Sequence, residues 1–115
     1  MIVNKTRNKP LALHKGFCSN WLTKSIGLMF SKPRDNYGLI FLFKRYVKHS
    51  LHMFFVFYPI DVLFLDENKR VVGIKENLKP FRTYTPKAAY MYFIELSEGT
   101  VKKTGTKMHD LVVFH

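Results

Sequence analysis

Short apolar runs separated by polar turns dominate the chain beyond residue 38. Each run is only four to nine residues long and is rich in Phe, Val, Ile and Leu. This brevity, together with the aromatic and β-branched content, predicts strands rather than helices. The predicted strands are residues 39–43, 51–57, 62–65, 71–74, 88–96 and 111–114.

The N-terminal segment adds one more predicted strand. Residues 11–18, LALHKGFC, have strand-like composition, with Gly16 as a weak point or a bulge. Residues 1–10 are polar and end at Pro10, which indicates either a short edge strand or a loose leader. DENKR at 66–70 lies between two apolar runs and is typical of a hairpin loop.

One segment carries a helical pattern. Asn20 is a good N-cap, and Pro33 prevents a long extension. The spacing predicts one short helix near residues 20–30. The apolar residues at helical spacing are Leu22, Ile26, Met29 and Phe30.

At least seven strands and one helix within 115 residues predict a mainly β fold, a β-sandwich or a flattened barrel. The length fits one domain over residues 1–115, and a hydrophobic fraction of 47% supplies a full core. Cys18 is the single cysteine, so an intrachain disulfide is excluded and a small buried side chain is expected. The N-terminus lacks the continuous apolar core of a signal peptide, and we predict a cytoplasmic protein.

The segment SLHMFFVFYPIDVLFLD at 50–66 is the most hydrophobic part of the chain. Its uncharged run of twelve residues is shorter than the about 20 that a membrane span requires. Pro59 requires a bend, and Asp61 is expected to be a turn residue whose carboxylate accepts local backbone N–H groups. Alternatively, His52 and Asp61 line a site. His52 is expected to be buried, which lowers its pKa and leaves it neutral near pH 7.

Charge is distributed unevenly along the chain. The formal net charge is +11, of which residues 1–60 carry +9 and residues 61–115 carry +2. Such asymmetry fits an anionic partner such as nucleic acid, an acidic membrane surface or an acidic protein, and also fits a solvated basic surface. Basic residues that alternate with aromatics in FKRYVKH at 43–49 are the main candidates for anion contacts. The candidates are Lys44, Arg45 and Lys48, with Lys32 and Arg34 nearby in sequence.

Recognised chemical motifs are absent from the sequence. It contains no CxxC, no HExxH and no glycine-rich phosphate loop, so we predict neither a metal site nor a cofactor. His52 with Asp61 is the single His–carboxylate combination in an apolar setting, and contact between them requires tertiary structure. Whether the protein is an enzyme stays open at this point, with a non-enzymatic role favoured.

Several motifs in order resemble one family. They are GLMF at 27–30, YGLIFLF at 37–43, HMFFVFYPIDVLFLD at 52–66, VVGI at 71–74, Ala89, IEL at 94–96, Gly99 and HDLVVF at 109–114. This set, over residues 19–114, resembles the family known as domain of unknown function (DUF) 192 or uncharacterised protein family (UPF) 0127, in an archaeal-type variant. The resemblance implies a small, mainly β, jelly-roll-like domain. The family has no agreed activity, so it supplies no catalytic residues.

Two departures from the family pattern concern possible sites. His52-Met53-Phe54-Phe55 stands where many relatives have Trp followed by Met-Lys-Asn, so a site that used the Lys-Asn pair is altered here. His109-Asp110 replaces a Gly-Asp pair; if the turn needs a left-handed residue, His109 adopts that conformation at some cost. Asp110 joins His52 and Asp61 as a candidate ligand contact.

Together these observations favour a non-enzymatic β module that binds either an anionic partner, such as nucleic acid or another polyanion, or a small ligand. The alternative is an enzyme with a site around His52 and Asp61.

Overall fold

The computed structural model describes residues 1–18, 36–53 and 58–115, and it gives no description of the side chains of Cys18 and His52. The helix predicted near residues 20–30 lies outside the described residues, as do Lys32 and Arg34. The expected burial of Cys18 also falls outside them.

The described residues form a mainly β structure, as the hydrophobic pattern predicts. One short helix, α1 (Thr100–Thr104), follows the ninth of ten strands. Two left-handed glycines bracket it, Gly99 with a φ of 91° and Gly105 with a φ of 69°. The strands are β1 (Ile2–Asn4), β2 (Lys9–Ala12), β3 (His14–Cys18), β4 (Tyr37–Val47), β5 (Leu51–His52), β6 (Ile60–Leu65), β7 (Val71–Leu78), β8 (Thr83–Tyr84), β9 (Tyr90–Ser97) and β10 (Val112–Phe114).

These strands form three sheets. A five-stranded sheet has the order β3-β4-β9-β6-β7, a three-stranded sheet the order β10-β1-β2, and β5 pairs with β8. The β3–β4 pair is parallel and the other pairs are antiparallel. A parallel pair needs a long crossover connection, and the chain between Cys18 and Tyr37 is long enough to provide one.

The hydrophobic core lies on both faces of the five-stranded sheet. On one face, Ile40, Leu63 and Ile94 pack in a cluster with residues of the three-stranded sheet such as Ile2. On the other face, large side chains of β4, β6 and β9 pack with residues of β5 and β8; this second cluster includes Phe41, Phe64, Phe93, Leu51 and Tyr84. All six residues of β6 are buried because the strand is covered on both faces, which accounts for its unbroken apolar run.

Several strand boundaries differ from the prediction. Residues 11–18 form the end of β2 and the whole of β3, with Leu13 between them at 48% exposure. The strand predicted at 51–57 pairs only over Leu51–His52 among its described residues, and 54–57 lie outside them. Sequence analysis missed β8, since two residues are too few to form a recognisable pattern.

The hairpin loop predicted at 66–70 is confirmed. Asp66 Oδ1 accepts hydrogen bonds from the backbone N–H groups of Asn68 and Arg70, each at 2.9 Å. The carboxylate thus satisfies donors of the turn between β6 and β7, which is the ordinary role of aspartate in a loop. The described part of the chain contains no helix with the length and hydrophobicity of a membrane span.

Candidate functional site

Asp61 lies inside β6 rather than in a turn. Opposite it, β7 has one extra residue, because Ile60 pairs with Leu78 while Val62 pairs with Lys75. The carboxylate is 1% exposed, and its Oδ1 accepts from Asn77 N–H at 2.9 Å. Asn77 lies in the bulge, so the carboxylate replaces a partner that the strand ladder does not supply.

The second oxygen of Asp61 binds the short helix. Oδ2 accepts from the backbone N–H of Val101 at 2.9 Å, one of the first-turn donors of α1 that has no intrahelical partner. The prediction that this carboxylate accepts backbone N–H groups is confirmed, and the predicted location in a local turn is wrong. The donors lie 16 and 40 residues away in sequence.

His52 pairs with Thr83 in the β5–β8 ladder. Its side chain lies outside what the structure describes, so its expected burial and the alternative of a site formed with Asp61 stay predictions.

Asp110 is the acceptor of a buried polar cluster. Its carboxylate is 4% exposed, and Oδ2 accepts from Asn4 Nδ2 at 2.9 Å, from Arg7 Nε at 2.7 Å and from Lys107 N–H at 2.9 Å. Burial raises the pKa of Asp110, but the hydrogen bonds from Asn4, Lys107 and Arg7 and the charge of Arg7 outweigh it, so the pKa falls below its ordinary value. The cluster connects the N-terminal strand to the turn before β10.

The turn that carries Asp110 requires a left-handed residue. His109 has a φ of 72°, as expected if it occupies the position of a family glycine. Three of the four hydrogen bonds that Asp110 accepts come from side chains of the first seven residues. The structure therefore gives Asp110 an architectural role, and its role as a ligand contact stays a prediction.

The exposed basic residues lie in and directly after an irregular part of β4. Leu42 pairs with Tyr92 and Val47 pairs with Tyr90, so residues 43–46 of β4 stand opposite Met91 alone. We call Lys44, Arg45 and Lys48 the basic bulge; all three are exposed. They were expected in a loop between two strands, but Lys44 and Arg45 belong to β4 and protrude because the excess residues cannot pair.

A row of partly exposed rings lies close to the basic bulge. The Phe17 and Phe114 ring centroids are 6.0 Å apart, and those of Tyr92 and Phe114 are 5.7 Å apart, both edge to face. Leu42 continues the row, since it is the register partner of Tyr92. Phe17 is 54% exposed and Leu42 is 40% exposed. We call Phe17, Leu42, Tyr92 and Phe114 the aromatic surface.

Two lysines flank the aromatic surface. The Lys69 ammonium lies 5.0 Å from the centroid of the Phe114 ring, and that of Lys15 lies 6.0 Å from the Phe17 ring. Both distances are within the range of cation–π attraction. Sequence analysis missed these residues because β3 and β10 come together only in the folded chain, and no local pattern marks Phe17 or Phe114.

The basic bulge and the aromatic surface adjoin. Tyr46, from the bulged part of β4, accepts a hydrogen bond through its hydroxyl from Glu67 N–H at 3.0 Å. Glu67 belongs to the same hairpin loop as Lys69, whose ammonium lies over Phe114. Contacts therefore link Tyr46, in the bulged part of β4, through the hairpin loop to Phe114 and Tyr92. Leu42, the register partner of Tyr92, completes the connection because it lies in the same strand as Tyr46.

A polar cavity of ≈ 430 Å³ lies beside α1. Asn36, Ser97, Glu98, Thr100 and Lys103 contribute to its lining. The lining contains both an acidic side chain, Glu98, and a basic one, Lys103, so it does not favour a ligand of either charge. Within the described part of the chain, no group of three or more His, Cys, Asp or Glu side chains is placed to hold a metal ion.

Comparison with known proteins places the chain in a family. The family model DUF192, described as an uncharacterised ancient conserved region, matches residues 2–114. The UPF0127 protein PH1112 of Pyrococcus horikoshii is 41% identical over 86% of this chain and 85% of its own length. The UPF0127 protein PF1050 of Pyrococcus furiosus is 35% identical over 95% of this chain and 93% of its own length.

A solved structure shares the fold. A protein of unknown function from Novosphingobium aromaticivorans superposes with a TM-score of 0.85 at 22% identity, over 98% of this chain and 82% of the other. The chain belongs to the DUF192 family, and the resemblance drawn from its motifs is confirmed.

Proposed function

We propose that this DUF192 member is a binding module for a polyanionic partner and that the basic bulge is its contact site. Lys44 and Arg45 are exposed in the part of β4 where the register shifts against β9, and Lys48 is exposed directly after the strand ends. Among the described residues none of the three forms an ion pair, in contrast to Arg7, whose Nε lies 2.7 Å from Asp110. Cations without acidic partners are the residues that a phosphate-bearing or sulfate-bearing chain neutralises.

The protrusion of the bulge is the observation that carries this proposal. A regular strand would place successive side chains on opposite faces, and its neighbours would cover part of each. Four residues opposite one remove that constraint and let adjacent basic side chains reach solvent together. Glu67 contacts the bulged part of β4 through its backbone N–H, which donates to the Tyr46 hydroxyl at 3.0 Å.

A charge-reversal experiment tests the proposal. Lys44→Glu, Arg45→Glu and Lys48→Glu combined should abolish binding to heparin and to a labelled oligonucleotide at about 50 mM salt. Three phosphate contacts give a log–log salt slope of roughly −2 to −3 for the parent. The matched control is Lys79→Glu, Arg82→Glu and Lys87→Glu combined, which makes the same charge change at exposed residues elsewhere. Equal losses in both variants would reduce the effect to net charge and contradict a localised site.

The enzymatic alternative has less support. Both oxygens of Asp61 accept backbone N–H groups in a buried setting, which suits a structural carboxylate better than a general base. The polar cavity beside α1 is a candidate small-ligand site among the described residues, and its lining favours no one ligand class.

We also propose a more specific description of the fold. Packing of the three-stranded sheet on one face of the five-stranded sheet supports a β-sandwich of jelly-roll type. A single domain and a cytoplasmic location stay predictions.

A further inference from the structure

We infer that the polyanion is a single-stranded nucleic acid, whose bases stack on the aromatic surface while its phosphates contact the basic bulge, Lys15 and Lys69. This inference rests on the proposed function and adds the chemical class of the partner. It is carried by the adjacency of the two surfaces along β4, where Leu42 lies two residues before Lys44, since each surface alone has an ordinary explanation.

Aromatic rings and cationic side chains lie close together on this surface. Lys69 lies 5.0 Å from Phe114, and Phe114 lies within 6.0 Å of both Phe17 and Tyr92. Leu42, the register partner of Tyr92, lies in β4 two residues before Lys44 and three before Arg45. A single strand that follows this surface meets both exposed apolar side chains and exposed positive charges.

Aromatic side chains on and beside this surface are exposed to solvent. Phe17 leaves 54% of its surface and Tyr46 46% in contact with solvent, large fractions for aromatic side chains at a sheet. Burial of a ring against a base removes that apolar area from water, and loss of one stacked base weakens binding about fivefold or more. A polyanion without bases, such as heparin, gains nothing from these rings.

Base stacking separates single strands from other partners. In a duplex both faces of each base are already stacked, so a duplex offers only phosphates to this surface. A protein surface that binds anionic lipids would also use lysines and rings together. Such a surface would bind oligonucleotides with and without bases equally well. The discriminating measurement is therefore base dependence at constant phosphate charge.

The experiment uses the full chain and fluorescence anisotropy with a labelled oligothymidylate. Unlabelled competitors are the same oligothymidylate, an abasic oligomer of equal length, the corresponding duplex, heparin, and vesicles of phosphatidylserine and phosphatidylcholine. The expected result is that the abasic oligomer and the duplex bind about fivefold or more weakly than the single strand, which is the effect of losing one stacked base.

Substitutions locate the stacking. Phe17→Ala should weaken oligothymidylate binding about fivefold or more and leave heparin binding unchanged. Phe17→Leu keeps an apolar side chain without a ring and should show the same selective loss, which separates stacking from misfolding. The control Phe81→Ala changes a side chain of similar exposure, 51%, outside the aromatic surface and should bind like the parent.

The outcomes distinguish the two proposals. If the abasic oligomer binds as tightly as oligothymidylate, or if Phe17→Ala and Phe17→Leu bind both probes like the parent, the single-strand inference is wrong while polyanion binding by the bulge stands. Preference for the vesicles over every oligonucleotide also overturns it. If neither heparin nor any oligonucleotide binds at about 50 mM salt, both proposals fail.

Discussion

The buried carboxylates and the basic bulge use charge in opposite ways. Asp61 and Asp110 are 1% and 4% exposed, and protein donors bind both oxygens of each. Lys44, Arg45 and Lys48 are exposed and have no acidic partner among the described residues. A buried charge is tolerated only where the fold supplies its partners, so the carboxylates stabilise the fold. The charges of the bulge have no such partner among the described residues, which is why we propose that a polyanion contacts them.

Removal of the Asp61 carboxylate should give the largest loss of stability. In Asp61→Ala, the N–H groups of Asn77 and Val101 both lose their acceptor, one of them in a fully buried position. We expect the free energy of unfolding to fall by about 3 kcal/mol, measured by denaturant titration.

A conservative variant sharpens this prediction. Asp61→Asn keeps one acceptor oxygen and should lose less stability than Asp61→Ala. If Asp61→Ala unfolds at the same denaturant concentration as the parent, the two hydrogen bonds do not hold β7 and α1, and Asp61 becomes available again as a site residue.

Asp110 predicts a dependence of stability on pH. Its pKa in the folded protein lies below the ordinary 3.8. The carboxylate therefore contributes stability above the pKa of the unfolded chain, and this contribution is lost as the pH falls through the folded pKa. Asp110→Asn should lose about 2 kcal/mol near neutral pH, since charge-assisted hydrogen bonds are replaced by weaker ones.

The matched measurement is the free energy of unfolding from neutral pH down to about pH 3 for parent and variant. The parent should lose more stability on acidification than Asp110→Asn, and the two curves should converge at low pH. Parallel curves would show that another carboxylate dominates the acid response.

Local sequence was sufficient for some of these features and not for others. The β6–β7 hairpin follows from Asp66 and two flanking apolar runs, all within a few residues. The acceptor role of Asp61 was predictable from its type, but its donors were not, because Val101 is 40 residues away. The aromatic surface could not be predicted for the same reason. Phe17 and Phe114 belong to strands of two different sheets and come into contact only in the folded protein.

The irregularity of β4 shows a different limit. The basic residues within FKRYVKH at 43–49 correctly indicate an exposed segment, but the pattern predicts a loop there. The segment is a strand whose register shifts against β9. Register depends on the partner strand, which the pattern of one strand does not identify.

Two tyrosines extend the comparison of buried and exposed regions to smaller effects. Tyr90 is 0% exposed and its hydroxyl donates to the His49 carbonyl at 2.9 Å, while burial raises the pKa of Tyr90 to about 12. Tyr46 is 46% exposed and its hydroxyl accepts from Glu67 N–H, which water can reach. Tyr90→Phe should lower the free energy of unfolding by about 1 kcal/mol, and Tyr46→Phe by less than about 0.5 kcal/mol, because solvent replaces the lost partner only at Tyr46. Both values come from denaturant titration at neutral pH. Equal losses would mean that the hairpin loop depends on Tyr46 as the core depends on Tyr90, and the bulge would then be part of the folded framework rather than a surface available to a partner.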